Sequence, residues 1–171
     1  MPYVDPQTID NPTAGQPIPA AWSDQVRNDL EYLVDPPACS VYHNTTATVA
    51  TATPSALAAN SEFFDNDSMH STSTNNTRIT ASTAGRYEFN ATIRFDPDAD
   101  GVRRGAFRVN GTTIYESMQV PGVSSLRSCV ITCTRKIVLA AGDYVEVLAE
   151  HTAGNNLAVE LYEFAAKWET R

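Results

Sequence analysis

The chain has 171 residues, 42% of them hydrophobic, and its 20 acidic residues outnumber 12 Lys and Arg, for a formal net charge of −8. This length allows one domain plus an appendage. The acidic balance argues against nucleic acid as a partner, because a surface that follows phosphates needs an excess of Lys and Arg. We expect no membrane span either, since a run of about 18 apolar residues is missing.

Residues 1–19 carry five prolines and few large apolar side chains. Such a segment cannot bury a core of its own, so it is predicted to be an extended arm that becomes ordered on binding another protein. It begins with neither the basic region nor the apolar stretch of a signal peptide, and we therefore expect no secretion through a cleaved signal. The apolar side chains that we expect to dock are Tyr3, Val4, Ile9 and Ile18.

Residues 20–35 are predicted to form an amphipathic helix. Trp22, Val26, Leu30 and Leu33 are spaced 4, 4 and 3 apart and form one apolar stripe, and the prolines after Asp35 end the helix. A helix of about 15 residues is marginal in water, so the stripe needs a partner. Three partners remain open: the β-domain of the same chain, other copies of the chain, or a different protein.

Residues 36–171 are predicted to be an antiparallel jelly-roll β-domain. In residues 85–95 apolar and polar side chains alternate without a break, which is typical of a strand with one face on a core and one in water. Eight or nine strands punctuated by Gly and Asn turns fit a sandwich. The predicted strands lie near 39–50, 56–64, 77–82, 85–95, 103–110, 112–120, 124–139, 143–152 and 156–168. The stretch 65–77 has no apolar pattern and is predicted to be a polar surface loop.

Side-chain chemistry in the β-domain gives weak signals only. Cys129 and Cys133 lie about 13 Å apart on one strand face, too far to bridge, and are interpreted as buried thiols. Cys39 could pair with one of the other two, which the sequence does not decide, and we expect a mostly reduced chain without a disulfide framework. The Arg103-Arg104 pair is interpreted as part of a solvated face. The His residues lack zinc spacing, and the chain has neither a G-x-S-x-G elbow nor a phosphate-binding Gly loop, so we expect no cofactor and no enzymatic activity.

The turn after the alternating strand resembles the opening of a calcium loop. Asp96, Asp98 and Asp100 precede Gly101 in the pattern D-x-D-x-D-G, and clustered carboxylates suit a hard cation. The twelfth position of such a loop should be Glu, but it is Phe107, and the flanks are predicted strands, so an EF-hand is excluded. A looser ion site at these three carboxylates is a weak candidate, and the alternative is an acidic turn that is simply solvated.

Four short motifs follow one another in the β-region: Arg78-Ile79-Thr80, then Ala84 to Tyr87 with Phe89, then Asn110-Gly111, then Leu139 to Val145. In this order they resemble the trimeric jelly rolls of the tumour necrosis factor and complement-head superfamily, over roughly residues 40–168. The front end of the chain is similar to small virion proteins of tailed bacteriophages, especially those of actinobacterial hosts. The resemblance lies in the Pro-rich arm, the helix that begins with AAW at residues 20–22 (the AAW helix) and the sequence DPPAC at residues 35–39 that ends it (the DPPAC stop).

The resemblance implies a homotrimer in which the last strand contributes to the threefold axis. Tyr162 and Phe164 are the candidate trimer contacts, and an intramolecular core role is the alternative. The expected function is a capsid decoration or minor capsid protein, assembled in the host cytoplasm and held to a major capsid or tail protein by its arm and helix. The alternative is a tail-associated module that binds a host receptor or surface glycan through outer loops.

Overall fold

In the computed structural model, which describes residues 14–122 and 124–170, one helix precedes eleven strands. Helix α1 spans Ala20–Val34. The strands are β1 (Ala38–Tyr42), β2 (Ala47–Val49), β3 (Ser55–Ala56), β4 (Ser61–Asp65), β5 (Arg78–Thr80), β6 (Gly85–Phe95), β7 (Val102–Val109), β8 (Thr113–Pro121), β9 (Cys129–Leu139), β10 (Tyr144–His151) and β11 (Leu157–Thr170). Within this part of the chain, no helix is both long and apolar enough to cross a membrane.

The strands form two sheets that pack face to face. The six-stranded sheet has the order β4-β1-β11-β6-β9, and β2 also pairs with β11. The five-stranded sheet has the order β3-β10-β7-β8, and β5 also pairs with β10. The pairings are antiparallel. The predicted antiparallel jelly-roll sandwich is therefore confirmed.

The core lies between the sheets and follows the period of two in β6. Tyr87, Phe89, Ala91, Ile93 and Phe95 are each at most 3% exposed, whereas the side chains between them face outward. The Phe89 ring lies 5.9 Å from Phe164 of its own sheet and 6.1 Å from Phe107 of the opposite sheet, measured between centroids. The contact between Phe89 and Phe107 joins the two layers.

Two of the predicted strands are each divided in the structure. The span 39–50 forms β1 and β2, which both pair with β11, and the gap between them lies opposite an irregularity in β11 between Val159 and Leu161. The span 56–64 forms β3 and β4, which belong to different sheets. The chain crosses between the sheets at Leu57 and Ala59, which are 2% and 1% exposed.

The polar stretch 65–77 is less exposed than its composition predicts. Met69 is 2% exposed and belongs to the core, and its carbonyl accepts the N–H of Thr80 at 2.8 Å. The Asp65 carboxylate accepts the backbone N–H groups of Asp67, Met69 and His70 at 2.8–3.2 Å. A carboxylate that satisfies three loop N–H groups holds this part of the loop against the sandwich.

Candidate functional site

Much of the apolar stripe of α1 is open to solvent. No residue of the helix is buried, and Leu30 and Leu33 are 54% and 75% exposed, while Trp22 and Val26 are half-buried. Val34 and Ile18 extend the exposed surface at 84% and 60%. The stripe is therefore not packed into the β-domain of its own chain, as the first of the three sequence interpretations required. Tyr3, Val4 and Ile9 lie outside the described residues.

The helix is attached to the β-domain by a residue outside the stripe. The Tyr32 hydroxyl lies 2.9 Å from Thr83 Oγ1, and its ring meets Trp168 edge to face at 5.8 Å. Trp168 in turn donates its ring N–H to the Ala84 carbonyl at 3.2 Å. Sequence analysis did not single out Tyr32, although an aromatic ring with a polar tip suits such a half-buried junction.

A groove of about 560 Å³ lies between the C-terminal half of α1 and the segment after β4. Leu30, Tyr32 and Val34 line its helix side, and Pro37 and Asn66 line its β-domain side. The floor is mixed in polarity, because the Asn66 amide donates to the Asp35 carboxylate at 2.7 Å. The groove continues the exposed apolar surface of the helix.

The acidic turn after β6 encloses an arginine. Arg103 is 0% exposed, and its guanidinium donates to the carbonyls of Asp100 at 2.8 Å and Asp98 at 2.9 Å. The Asp98 carboxylate lies 3.6 Å from the same guanidinium. The interpretation of Arg103 as a solvated residue is wrong, because the carbonyls of this turn form a pocket of acceptors that a planar guanidinium satisfies.

The three carboxylates of that turn have different surroundings. The Asp100 N–H, then the Asn155 amide and Arg103, hold the pKa of Asp98 below its usual value. Burial and then Glu160 raise the pKa of Asp96. Across the described residues no group of three or more His, Cys, Asp or Glu is placed to hold a metal ion. Asp96, Asp98 and Asp100 are thus not brought together as a ligand set.

Tyr162 and Phe164 lie inside the sandwich. They are 1% and 2% exposed, and Phe164 packs against Phe89 and Phe107. The His43 ring meets Tyr162 edge to face at 5.8 Å. The structure thus gives these two residues the intramolecular core role that was the alternative to a trimer contact, so surface residues must supply any contact between copies.

The three cysteines are free and buried, which agrees with the interpretation of Cys129 and Cys133 as buried thiols. Burial is the main cause that raises the pKa of Cys39 far above its usual value, and Asp65 and Glu62 raise it further. A thiol that stays protonated is a poor nucleophile and a poor metal ligand. Cys39 therefore acts as a small core residue.

Large apolar side chains are also exposed at both edges of the six-stranded sheet. On β4, Phe63 and Phe64 are 61% and 53% exposed, and on β9, Val130 and Val138 are 53% and 77% exposed. Exposed apolar side chains that gather at sheet edges mark candidate interaction surfaces. Together with the stripe of α1, these edges are candidate interaction surfaces of the described chain.

Comparisons with known proteins agree on the fold. No family model and no curated protein matches the sequence. Among solved structures, the globular domain of zebrafish complement 1qA protein aligns with a TM-score of 0.59 and 20% identity, covering 79% of this chain and 98% of that one. Murine APRIL aligns with a TM-score of 0.56 and 10% identity, covering 77% and 98%. The β-domain therefore has a jelly-roll fold like those of the tumour necrosis factor and complement 1q domains.

Proposed function

We propose that this protein is a structural subunit of a tailed-bacteriophage virion. Its β-domain forms a homotrimer, and residues 1–19 with α1 attach that trimer to a capsid or tail protein, so that the β-domain projects outward as a decoration or head-fibre protein. The trimer is the assembly that the jelly-roll resemblance implies. The virion is the setting that the arm, the AAW helix and the DPPAC stop resemble.

One observation carries the anchoring role: the C-terminal part of the apolar stripe of α1, with Leu30 and Leu33, is not buried by its own β-domain. Complete burial of a Leu or Val side chain contributes about 1.5–3 kcal/mol, so Leu30, Leu33 and Val34 together offer several kcal/mol to a partner. Ordering the arm opposes this gain. A trimer offsets that cost, because three anchors engage one particle at once and each bound anchor raises the effective concentration of the others.

The alternative of a receptor- or glycan-binding module has less support. Its candidate surfaces are residues 65–77 and the turns near Gly101 and Pro121-Gly122, and Met69 and His70 are the distinguishing side chains of residues 65–77. Met69 is in the core, and the His70 side chain is 1% exposed and lies with Nδ1 2.8 Å from the Glu62 carboxylate. Neither side chain is presented to a ligand.

The first test is the solution mass of the full-length chain by light scattering after size exclusion. A homotrimer of chains of 18.6 kDa gives about 56 kDa. A monomer at micromolar concentration would contradict the trimer.

The second test is copy number on purified virions carrying Leu33→Asp in place of the wild-type chain. We expect at least a tenfold loss from particles with the trimer intact, because Leu33 is 75% exposed and its substitution spares the fold. Ile114→Asp is the matched control, since Ile114 is 52% exposed but lies on the outer face of the other sheet. Normal occupancy of the Leu33 variant would contradict anchoring through α1.

A further inference from the structure

The six-stranded sheet ends in two edges of different chemistry. One edge, called here the acidic edge, consists of β4 with Asp35 and Asp67 beside it. The other, called here the basic edge, consists of β9 with Arg127 before it. The two strands lie at opposite ends of the order β4-β1-β11-β6-β9.

An irregularity in pairing gives the acidic edge its aromatic surface. The register between β1 and β4 shifts between Ser40 and Val41, so the strict alternation of β4 is lost. Phe63 and Phe64, although consecutive, are therefore both exposed. The Phe63 ring stacks on Tyr42 of β1 with centroids 4.4 Å apart, which widens the apolar surface across two strands.

The carboxylates of the acidic edge have no described Lys or Arg within ion-pair distance. They are Asp35, Glu62, Asp65 and Asp67. Within the described part of the chain, none forms an ion pair with a Lys or Arg, and the one ionic partner in the group is His70, beside Glu62. The acidic edge therefore carries negative charge that no described Lys or Arg neutralises, on and beside the strand that bears the exposed aromatic rings.

The basic edge has the opposite arrangement. Arg135 and Arg127 are exposed, and no described carboxylate forms an ion pair with either. The Arg135 guanidinium lies over the Tyr115 ring at 5.0 Å, which holds it at this edge. Val130 and Val138 place exposed apolar surface on the same strand. Lys136 differs, because Glu88 and Glu169 neutralise it.

We propose that the acidic edge of one copy binds the basic edge of the next copy in a head-to-tail contact that closes the trimer. This proposal rests on the homotrimer proposed above and assigns its contact. Apolar side chains on each edge supply burial, and the opposite charges select the partner and the register. A contact between unlike surfaces generates a ring when its rotation closes, and the ring leaves neither edge exposed.

The same charges disfavour a two-fold contact. Pairing two acidic edges would bring together carboxylates that have no described Lys or Arg partner, and pairing two basic edges would bring together the Arg127 and Arg135 side chains of both copies. Like charges across an interface suppress that pairing. The head-to-tail arrangement is the one that brings each charge opposite its complement.

The test uses two double variants of the full-length chain. The acidic-edge variant carries Phe63→Ser and Phe64→Ser, and the basic-edge variant carries Arg135→Glu and Val138→Glu. All four side chains are exposed, so we expect wild-type circular dichroism and thermal midpoints. Ile114→Lys is the control and should remain about 56 kDa.

Each variant alone should have the mass of a single chain, because every contact needs one intact edge of each kind. An equimolar mixture should give a two-chain species of about 37 kDa, since the intact edge of one variant binds the complementary intact edge of the other. No ring can close in that mixture.

Trimers of about 56 kDa from either variant, beside a trimeric wild type, would overturn this contact and leave the proposed function standing. Folded monomeric variants that stay monomeric when mixed would overturn the head-to-tail arrangement. A monomeric wild type would overturn both. If a double variant fails to fold, Phe63→Ser replaces the acidic-edge variant or Arg135→Gln replaces the basic-edge variant. The same masses are then measured. Weaker trimers that form two-chain species on mixing support the contact, and unchanged trimers overturn it.

Discussion

The Tyr32 hydroxyl lies 2.9 Å from Thr83 Oγ1, and this pair joins α1 to the β-domain across 51 positions of sequence. Both side chains belong to segments that are otherwise separate: the helix on one side and the turn before β6 on the other. The helix is thus held at its last turn while Leu30 and Leu33 of the stripe remain exposed.

Removing this junction should release the helix without unfolding the sandwich. For Tyr32→Ala we expect faster amide hydrogen exchange in residues 20–34, by roughly tenfold, because a hydrogen bond and an aromatic contact together contribute on the order of 1–2 kcal/mol. Tyr32→Phe keeps the ring and should show a smaller effect. An unchanged exchange rate in the Ala variant would show that other contacts hold the helix.

Arg103 should be essential for stability even though it is charged. Arg103→Ala leaves the carbonyls of Asp98 and Asp100 without their donor and opens a cavity, and we expect a loss of about 3–5 kcal/mol in the free energy of unfolding. Arg104→Ala is the neighbouring control, and its partly exposed ion pairs predict a loss below about 1 kcal/mol. Urea denaturation of both variants measures the difference, and equal losses would contradict this role of Arg103.

Gly101 should tolerate no side chain. Its φ is +65°, and a Cβ there would overlap the backbone carbonyl of Thr152. We expect Gly101→Ala to cost about 2–4 kcal/mol, because left-handed strain and overlap add. Gly154→Ala separates the two effects, since Gly154 has φ +87° and open space around it, and should cost about 1 kcal/mol. Thermal denaturation compares them, and a Gly154 variant that is equally unstable would show that overlap contributes little.

The burial of His43 predicts that the free energy of unfolding decreases in mild acid. His43 is 8% exposed, and burial lowers the pKa of its imidazole below the usual 6.5. The unfolded chain therefore takes up the proton more readily than the folded one, and stability falls as the pH drops below about 6.5 towards the folded-state pKa. Urea midpoints between pH 7.5 and 5.5 measure this effect, and His43→Gln should flatten the profile. An equally steep profile in the Gln variant would assign the effect to another group.

The strand pattern and the fold class could be predicted because both depend on local alternation. In β6 every second residue is apolar, and the structure buries those residues. The division of 39–50 and 56–64 could not be predicted, because it depends on which strand of which sheet each segment pairs with. Pairing partners are distant in sequence and leave no local signal.

The candidate surfaces were predictable to a lesser degree. The stripe of α1 follows from helical spacing, but its exposure depends on what the β-domain offers as a partner. Arg103 is buried because backbone carbonyl groups accept its hydrogen bonds. Every residue has such a carbonyl, so the sequence does not show where the fold of a turn will bring them together. Exposure of both Phe63 and Phe64 results from a register shift on the neighbouring strand. The opposite edge charges likewise become visible only once the strand order is known.

The pairing of β1 with β11 determines where a foreign peptide would be displayed. Ala38 lies opposite Lys167, so the strand that leaves the helix and the strand that ends the β-domain meet side by side. A peptide fused behind β11 would emerge next to α1, which faces the particle in the arrangement proposed above. The turn at 152–156, which precedes β11, lies at the other end of that strand. An epitope inserted there would stand at the end of the β-domain away from α1, which makes this turn the better site for display if α1 is the anchor as proposed.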